Sequence, residues 1–339
     1  MAKETSLSNL LKYKIILILL FALPFSIEMK GQVDAQFTQY WAVPNYYNPA
    51  ATGTIDYVRI MGGSRLQWVG IPKAPQTFLV TADSPFKIFG KRVGAGVVLM
   101  QESIGLYNTM AAGAQFSYKM KLLKGTLSIG VQLGMLDEKF KGSQVVLPDN
   151  TTTSSDGSTS SSTTDDGIPT TDIHGTSFDA NFGVYYSHKY FWASLSGTHL
   201  TQPTISMSAD GSTGKIYEFQ AGRTYYFMAG SNIQIKNTLI ELQPSMMVKS
   251  DFHITQAEIT ARMRYNKFLS GGLAYRWKDA VSVMIGAEYK NFFLGYSFDY
   301  PISEISKVSN GSHEVMLGYK LKLDLGDKNK NKHKSIRIM

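Results

Sequence analysis

Period-two alternation of apolar and polar positions runs through most of the chain. In "AVSVMIGAEYK", Val281, Val283, Ile285, Ala287 and Tyr289 share one face, and Ser282, Met284, Gly286, Glu288 and Lys290 share the other. "FFLGYSFDY" sets Phe292, Leu294, Tyr296, Phe298 and Tyr300 against Phe293, Gly295, Ser297 and Asp299. "EVMLGYKLKLDL" sets Val315 to Leu325 against Met316, Gly318, Lys320, Lys322 and Asp324. Successive side chains of a strand point to opposite sides of a sheet, so each segment has one apolar face and one polar or glycine-rich face. The spacing predicts strands at 55–68, 76–86, 91–102, 106–121, 125–136, 178–188, 190–200, 217–235, 238–249, 255–266, 268–277, 280–290, 291–300 and 313–325.

A soluble sandwich and a membrane barrel both satisfy this alternation. Strands of about ten to thirteen residues with aromatics near their ends match a tilted crossing of a hydrocarbon layer, which favours the barrel. About 14 strands is an even number, so both chain ends fall on one side. The connections "FKIFGKR", "KLLKG", "SHKY", "IKN", "YNKF" and "YKN" then lie on that side, are all short, and all contain Lys. The longest irregular stretches, 137–177 and "TQPTISMSADGSTGK", lie on the other. The expected fold is all-β: a transmembrane antiparallel β-barrel over 55–325, short turns in the periplasm and long loops at the surface.

Before the strands stands a leader. Lys12 and Lys14 precede the apolar run Ile15 to Leu23, which is too short to span a bilayer, and small residues follow. This reads as a signal peptide, 1–35, cleaved after Gly31 or Ala35, with Val33-Asp34-Ala35 fitting the small-residue rule better. Residues 36–54 show neither period and carry Pro44 and Pro49, so they cannot be a central strand. Residues 148–172, rich in Thr and Ser, have little apolar content to offset the entropy of ordering and are expected to be a disordered surface loop. Residues 326–339 form a basic tail, expected in the periplasm.

Composition narrows the chemistry. With no cysteine, there is no disulfide framework and no thiolate metal site. The net charge of +8 comes largely from the leader and tail, leaving no basic patch interleaved with aromatics and no nucleic-acid partner. Six histidines stand at no metal-ligand spacing, Asp165-Asp166-Gly167 lacks the pattern of a calcium loop, and there is no GxSxG elbow. No catalytic residue, metal or cofactor is expected. By the strand register, Glu258, Arg262, Arg264, Glu288, Lys320, Lys322 and Asp324 face the lumen, where mixed signs on neighbouring strands can pair or line a channel.

The segment "QFTQYWAVPNYYNPAATG" is similar to the Q-F-[ST]-Q-Y-x(3)-P-x(3)-N-P-A-x-x-G opening of the PorP/SprF membrane proteins of the type IX secretion system. The resemblance continues in "RLQWVGIPKAPQTFLVTADSPF", "RVGAGVVLMQESIGLYN", "GGLAYRWKDAVSVMIGAEYKNFFLGYSFDYPISEIS" and "GSHEVMLGYKL". It departs at the Thr/Ser insert and around "IYEFQAGRTYYFMAG". It implies a non-enzymatic outer-membrane protein, embedded in lipid, that helps secrete or anchor a large surface protein or gliding adhesin bearing a C-terminal sorting domain. It also implies periplasmic contacts with other type IX components. Gln36, Phe37, Gln39, Tyr40, Pro44, Tyr47, Asn48, Pro49 and Gly53 are expected to form a small plug or partner-binding element in the periplasmic end of the barrel; the alternative is an N-terminal arm lying disordered in the periplasm. A second functional class stays open: a pore, or a channel for small or hydrophobic solutes.

Overall fold

The computed structural model describes residues 34–146, 150–153, 159–162, 168–208 and 215–323. The leader, much of the insert and the tail from 324 onward lie outside them. Fourteen antiparallel strands form one closed wall: β1 (Tyr57–Leu66), β2 (Gln76–Ile88), β3 (Lys91–Ile104), β4 (Tyr107–Leu122), β5 (Gly125–Lys141), β8 (Asp172–Ser187), β9 (Phe191–Thr198), β12 (Thr224–Ser231), β14 (Ile240–Ser250), β15 (Thr255–Tyr265), β16 (Leu269–Arg276), β17 (Ala280–Tyr289), β18 (Phe292–Pro301) and β19 (Ser312–Lys322). Two short hairpins, β6–β7 (Asn150–Thr153, Thr159–Ser162) and β10–β11 (Thr204–Met207, Tyr217–Gln220), and the two-residue β13 (Ile233–Gln234) complete the order. The ring closes where β1 pairs with β19, Tyr57 opposite Lys322, and where β12 pairs with both β9 and β14.

Closure removes the free edges that an open sheet would expose, a requirement for strands in lipid. The faces follow the alternation. Val281, Val283 and Ile285 are exposed while Ser282 and Met284 are buried. The outward apolar band is flanked by aromatics at both ends, with Tyr265, Tyr289 and Phe292 near the turns and Tyr275, Trp277 and Tyr300 near the loops.

The tightest turns are type I′-like. Leu123 and Lys124 both have positive φ, as do Lys290 and Asn291, and this local twist matches that of the flanking strands. The long connections all lie at one end of the barrel, together with the two-residue turn between β3 and β4, and the other end is closed by short turns.

Three differences from the strand reading have local causes. The segment expected as one strand at 217–235 is divided: Tyr217–Gln220 pairs with Thr204–Met207, and the wall resumes only at Thr224. Ile205 and Met207 of this hairpin bury themselves against Leu136 and Ile173 at the loop end, a packing that alternation alone does not reveal. β8 begins at Asp172 because it continues to pair with β5, up to Lys141 opposite Asp172. Within the insert, Asn150–Thr153 pairs with Thr159–Ser162, since Thr suits a strand even in a low-complexity run.

Candidate functional site

The interior is built around the N-terminal segment. Pro44 and Pro49 each open a single helical turn, Pro44–Tyr47 and Pro49–Ala51, where the missing N–H costs nothing. Asn48 caps the second turn by accepting a hydrogen bond from the Ala50 N–H at 2.8 Å. The Tyr47 hydroxyl accepts from the Phe37 N–H at 2.9 Å, folding the segment back on itself. Phe37, Tyr40, Tyr47 and Asn48 are buried. The segment thus satisfies much of its backbone internally and presents side chains in several directions to the wall.

On one side it meets an ionic network. Arg65 of β1 lies 2.7 Å from Asp299 of β18 and 3.2 Å from Glu314 of β19. Arg276 of β16 lies 2.8 Å from Glu258 of β15, 3.2 Å from Asp279 and 3.4 Å from Asp299. Thr38 sits at the junction. Its hydroxyl donates to Asp299 at 2.8 Å and accepts from Arg65 at 3.2 Å and Arg276 at 3.1 Å. The Glu314 carboxylate accepts from the backbone N–H groups of Thr38 and Gln39 at 2.7 and 2.9 Å, and the Gln36 amide donates to Glu258 at 3.3 Å. A buried charge cluster is tolerated only when its members satisfy one another, and here the segment supplies some of the partners.

The opposite wall is bound differently. The Asn48 amide donates to Ser194 at 2.9 Å and to the Val184 carbonyl at 3.0 Å, and Ser196 donates to the Tyr47 carbonyl at 2.7 Å. β9, which carries Ser194, and β19, which carries Glu314, are seven strands apart around a ring of fourteen. The segment therefore bridges the full width of the barrel. Its close approach to β5 needs the absence of a side chain: a Cβ on Gly130 would lie 2.3 Å from the Ala50 nitrogen. At its exit, the Gly53 N–H donates to Asp83 at 2.7 Å, and Asp83 pairs with Arg59 at 2.8 Å. Ser117 and Lys119 donate to the Thr52 carbonyl at 2.8 and 2.7 Å.

A third attachment lies at Asp34. Thr198 and Tyr226 donate to its carboxylate at 2.6 and 2.7 Å, and Lys249 donates to its backbone carbonyl at 2.9 Å. His199, in the loop after β9, is 2.9 Å from Asp34 through Nε2 and 3.0 Å from Asp179 through Nδ1. Burial opposes ionisation of Asp34, but His199 and Lys249 outweigh it and hold the carboxyl well below the usual range. Burial likewise pushes His199 down, while the two carboxylates more than reverse this and raise it to about 10.

The segment lies deeper than the small plug expected at the turn end. Its early residues contact Arg65, Arg276, Glu314 and Thr198, all near the loop ends of their strands, and Trp41 and Pro44 instead form part of a cavity open at the turn end. Ionic anchors near the loops draw it there. Of the residues read as lumen charges, Glu258, Arg262, Arg264 and Lys320 are buried inside the wall, and Glu288 is half-buried. Lys320 pairs with Glu288 at 2.8 Å, and Arg264 with Glu241 at 2.5 Å. Lys322 is exposed at the last position of β19, opposite Tyr57, and Asp324 lies outside the described residues. Arg65, Arg276, Asp299 and Glu314 were not among the residues singled out, although each is in phase with an inward neighbour two positions away.

The chain matches the model of the type IX secretion system membrane protein PorP/SprF over residues 29–319. It belongs to this family. A search of curated proteins returned no match. Similar solved structures include a FadL homologue from Pseudomonas aeruginosa, at 9% identity and a TM-score of 0.49, covering 87% of this chain and 100% of that one. The Pseudomonas putida toluene transporter TodX is 10% identical, with a TM-score of 0.47 over 87% and 96% of the two chains. Omp33 of Acinetobacter baumannii is 8% identical, with a TM-score of 0.42 over 79% and 99%. A PorP/SprF protein with this closed wall is an outer-membrane β-barrel, and membership places it among the interacting components of type IX secretion.

Proposed function

We propose that this PorP/SprF barrel helps secrete, or holds at the cell surface, one particular large protein carrying a C-terminal sorting domain, and that it is not an enzyme. The observation that carries this reading is the segment from Asp34 to Gly53, tied by side-chain hydrogen bonds to β19 on one wall and β9 on the opposite one. A conduit gains from an unobstructed lumen; a barrel crossed by its own buried segment is suited to serve as a rigid fixture. In this reading the short turns face the periplasm and the long loops, with the β10–β11 hairpin packed at their base, face the cargo. Residues 1–31 act as the signal peptide that sends the chain to export.

Affinity purification of the tagged barrel from gently solubilised outer membranes, read by mass spectrometry, tests the proposal. Co-recovery of a large secreted protein with a C-terminal sorting domain supports it and names the cargo. Recovery of the folded barrel alone, together with solute-specific conductance in a planar bilayer, replaces it with the channel reading.

A further inference from the structure

At the turn end, the segment leaves a cavity of about 270 Å³ whose lining includes Trp41 and Pro44. Its ionisable lining is unbalanced: Arg59, Arg92, Arg262, Arg264, Lys267 and Lys320 against Asp56 and Glu288. Four of these six cations have acidic partners, at Asp83 for Arg59, Asp56 for Arg92, Glu241 for Arg264 and Glu288 for Lys320. Arg262 differs. It is buried, and among the described residues no carboxylate lies within ion-pairing distance of it. Its guanidinium carbon lies 3.2 Å from the centre of the Trp41 ring, so the cation rests face-on against the indole. That stacking fixes the plane and leaves the N–H donors at the rim. The Trp41 Nε1 and the Arg59 Nη2 are also buried without a hydrogen-bond partner.

A buried guanidinium with no carboxylate within ion-pairing distance is costly in a finished interior and reasonable at the wall of a cavity that takes an anion. We propose that this mouth binds an acidic, partly apolar peptide segment of a partner protein. Two features favour a peptide over a single small anion. The cations are distributed over β1, β3, β15 and β19 around the mouth rather than converging on one point, which suits several carboxylates in sequence. Between them stand Ile55, Tyr57, Tyr185 and Trp192, which can take apolar side chains alongside. The chain's own C-terminal tail is Lys-rich and has the wrong sign to fill the site. Docking here is compatible with either a tether or a channel, so its failure leaves the proposed function untouched.

The full-length barrel in neutral detergent can be titrated with a fluorescein-labelled peptide alternating Asp or Glu with Leu, and with its Asn/Gln counterpart, by fluorescence anisotropy. The expected result is saturable binding of the acidic peptide, weakened by added salt, and at least about tenfold weaker binding of the neutral one. R262Q is expected to weaken acidic-peptide binding about tenfold. K267E, a substitution at an exposed rim residue that leaves the interior alone, is expected to weaken it in the same direction, so a folding failure of R262Q does not remove the test. Equal binding of both peptides, or no effect of K267E on acidic-peptide binding, overturns the proposal. So does saturable binding of inorganic phosphate that fully displaces the peptide.

Discussion

The Nε2 nitrogen of His199 stands 2.9 Å from a carboxylate oxygen of Asp34, and the same ring reaches Asp179 at 3.0 Å through Nδ1. One imidazole thus joins the start of the buried segment to β8, and its charge depends on pH. The depressed Asp34 carboxyl contributes stability present above its unfolded value of about 3.9 and lost as pH falls below it. The raised His199 contributes stability fully present below its unfolded value of about 6.5. That contribution is lost as pH rises through about 10. Thermal unfolding followed by circular dichroism is expected to peak between about pH 4 and 6.5 and to decline toward alkaline pH. D34N is expected to lower the unfolding temperature, at a cost of about 3 kcal/mol near neutral pH, and to make the acid-side decline shallower. A pH profile identical in D34N and the parent counts against this linkage.

The same contacts bear on where the leader is removed. Asp34 accepts from Thr198 and Tyr226, and its carbonyl accepts from Lys249. Cleavage after Ala35 discards all of these; cleavage after Gly31 retains them. Intact-mass analysis of the protein from outer membranes is therefore expected to give a mature chain beginning at Gln32. A chain beginning at Gln36 shows instead that the barrel forms without this attachment.

Arg276 holds three carboxylates, Glu258, Asp279 and Asp299, and donates to the Thr38 hydroxyl at 3.1 Å. R276M removes the cation and leaves Glu258 and Asp299 buried beside each other's charge, an expected loss of about 3–5 kcal/mol. By contrast, Glu304 and Lys307 form an ion pair on an exposed loop, and E304Q is expected to leave the unfolding temperature unchanged. Comparable shifts in the two variants would mean that water enters the Arg276 network freely.

The wall was legible because period two is a local property: Val281 and Ser282 report their faces from their neighbours alone. The division at 217–235 was not, because Tyr217–Gln220 alternates like a wall strand and only Ile205 packing on Leu136 draws it away. The segment's irregularity was visible in Pro44 and Pro49, whereas its depth was set by residues over two hundred positions distant, such as Glu314 receiving the Thr38 N–H. Alternation does place Glu314 in phase with Met316, and Asp299 with Ser297. What it cannot supply is which inward charges meet across the ring.

Gly130 offers the most direct test of whether the segment is held by fit or by charge alone. A Cβ there would lie 2.3 Å from the Ala50 nitrogen and 2.4 Å from the Pro49 carbonyl carbon, both backbone atoms that cannot rotate aside. G130V is expected to displace the Pro49–Ala51 turn while β5 keeps its pairing with β4 and β8. Gly62 of β1 is the control, because it is in phase with the exposed Ile60 and a Cβ there meets nothing nearer than the Leu79 carbonyl at 3.9 Å. Chymotrypsin reads the outcome, since Tyr40, Trp41, Tyr46 and Tyr47 are cleavage sites shielded inside the barrel. Faster N-terminal cleavage in G130V than in G62V, with both barrels still resisting detergent on unheated gels, shows that shape complementarity along β5 seats the segment. Equal resistance means the ionic anchors at Thr38 and Asp34 hold it even when that contact is lost.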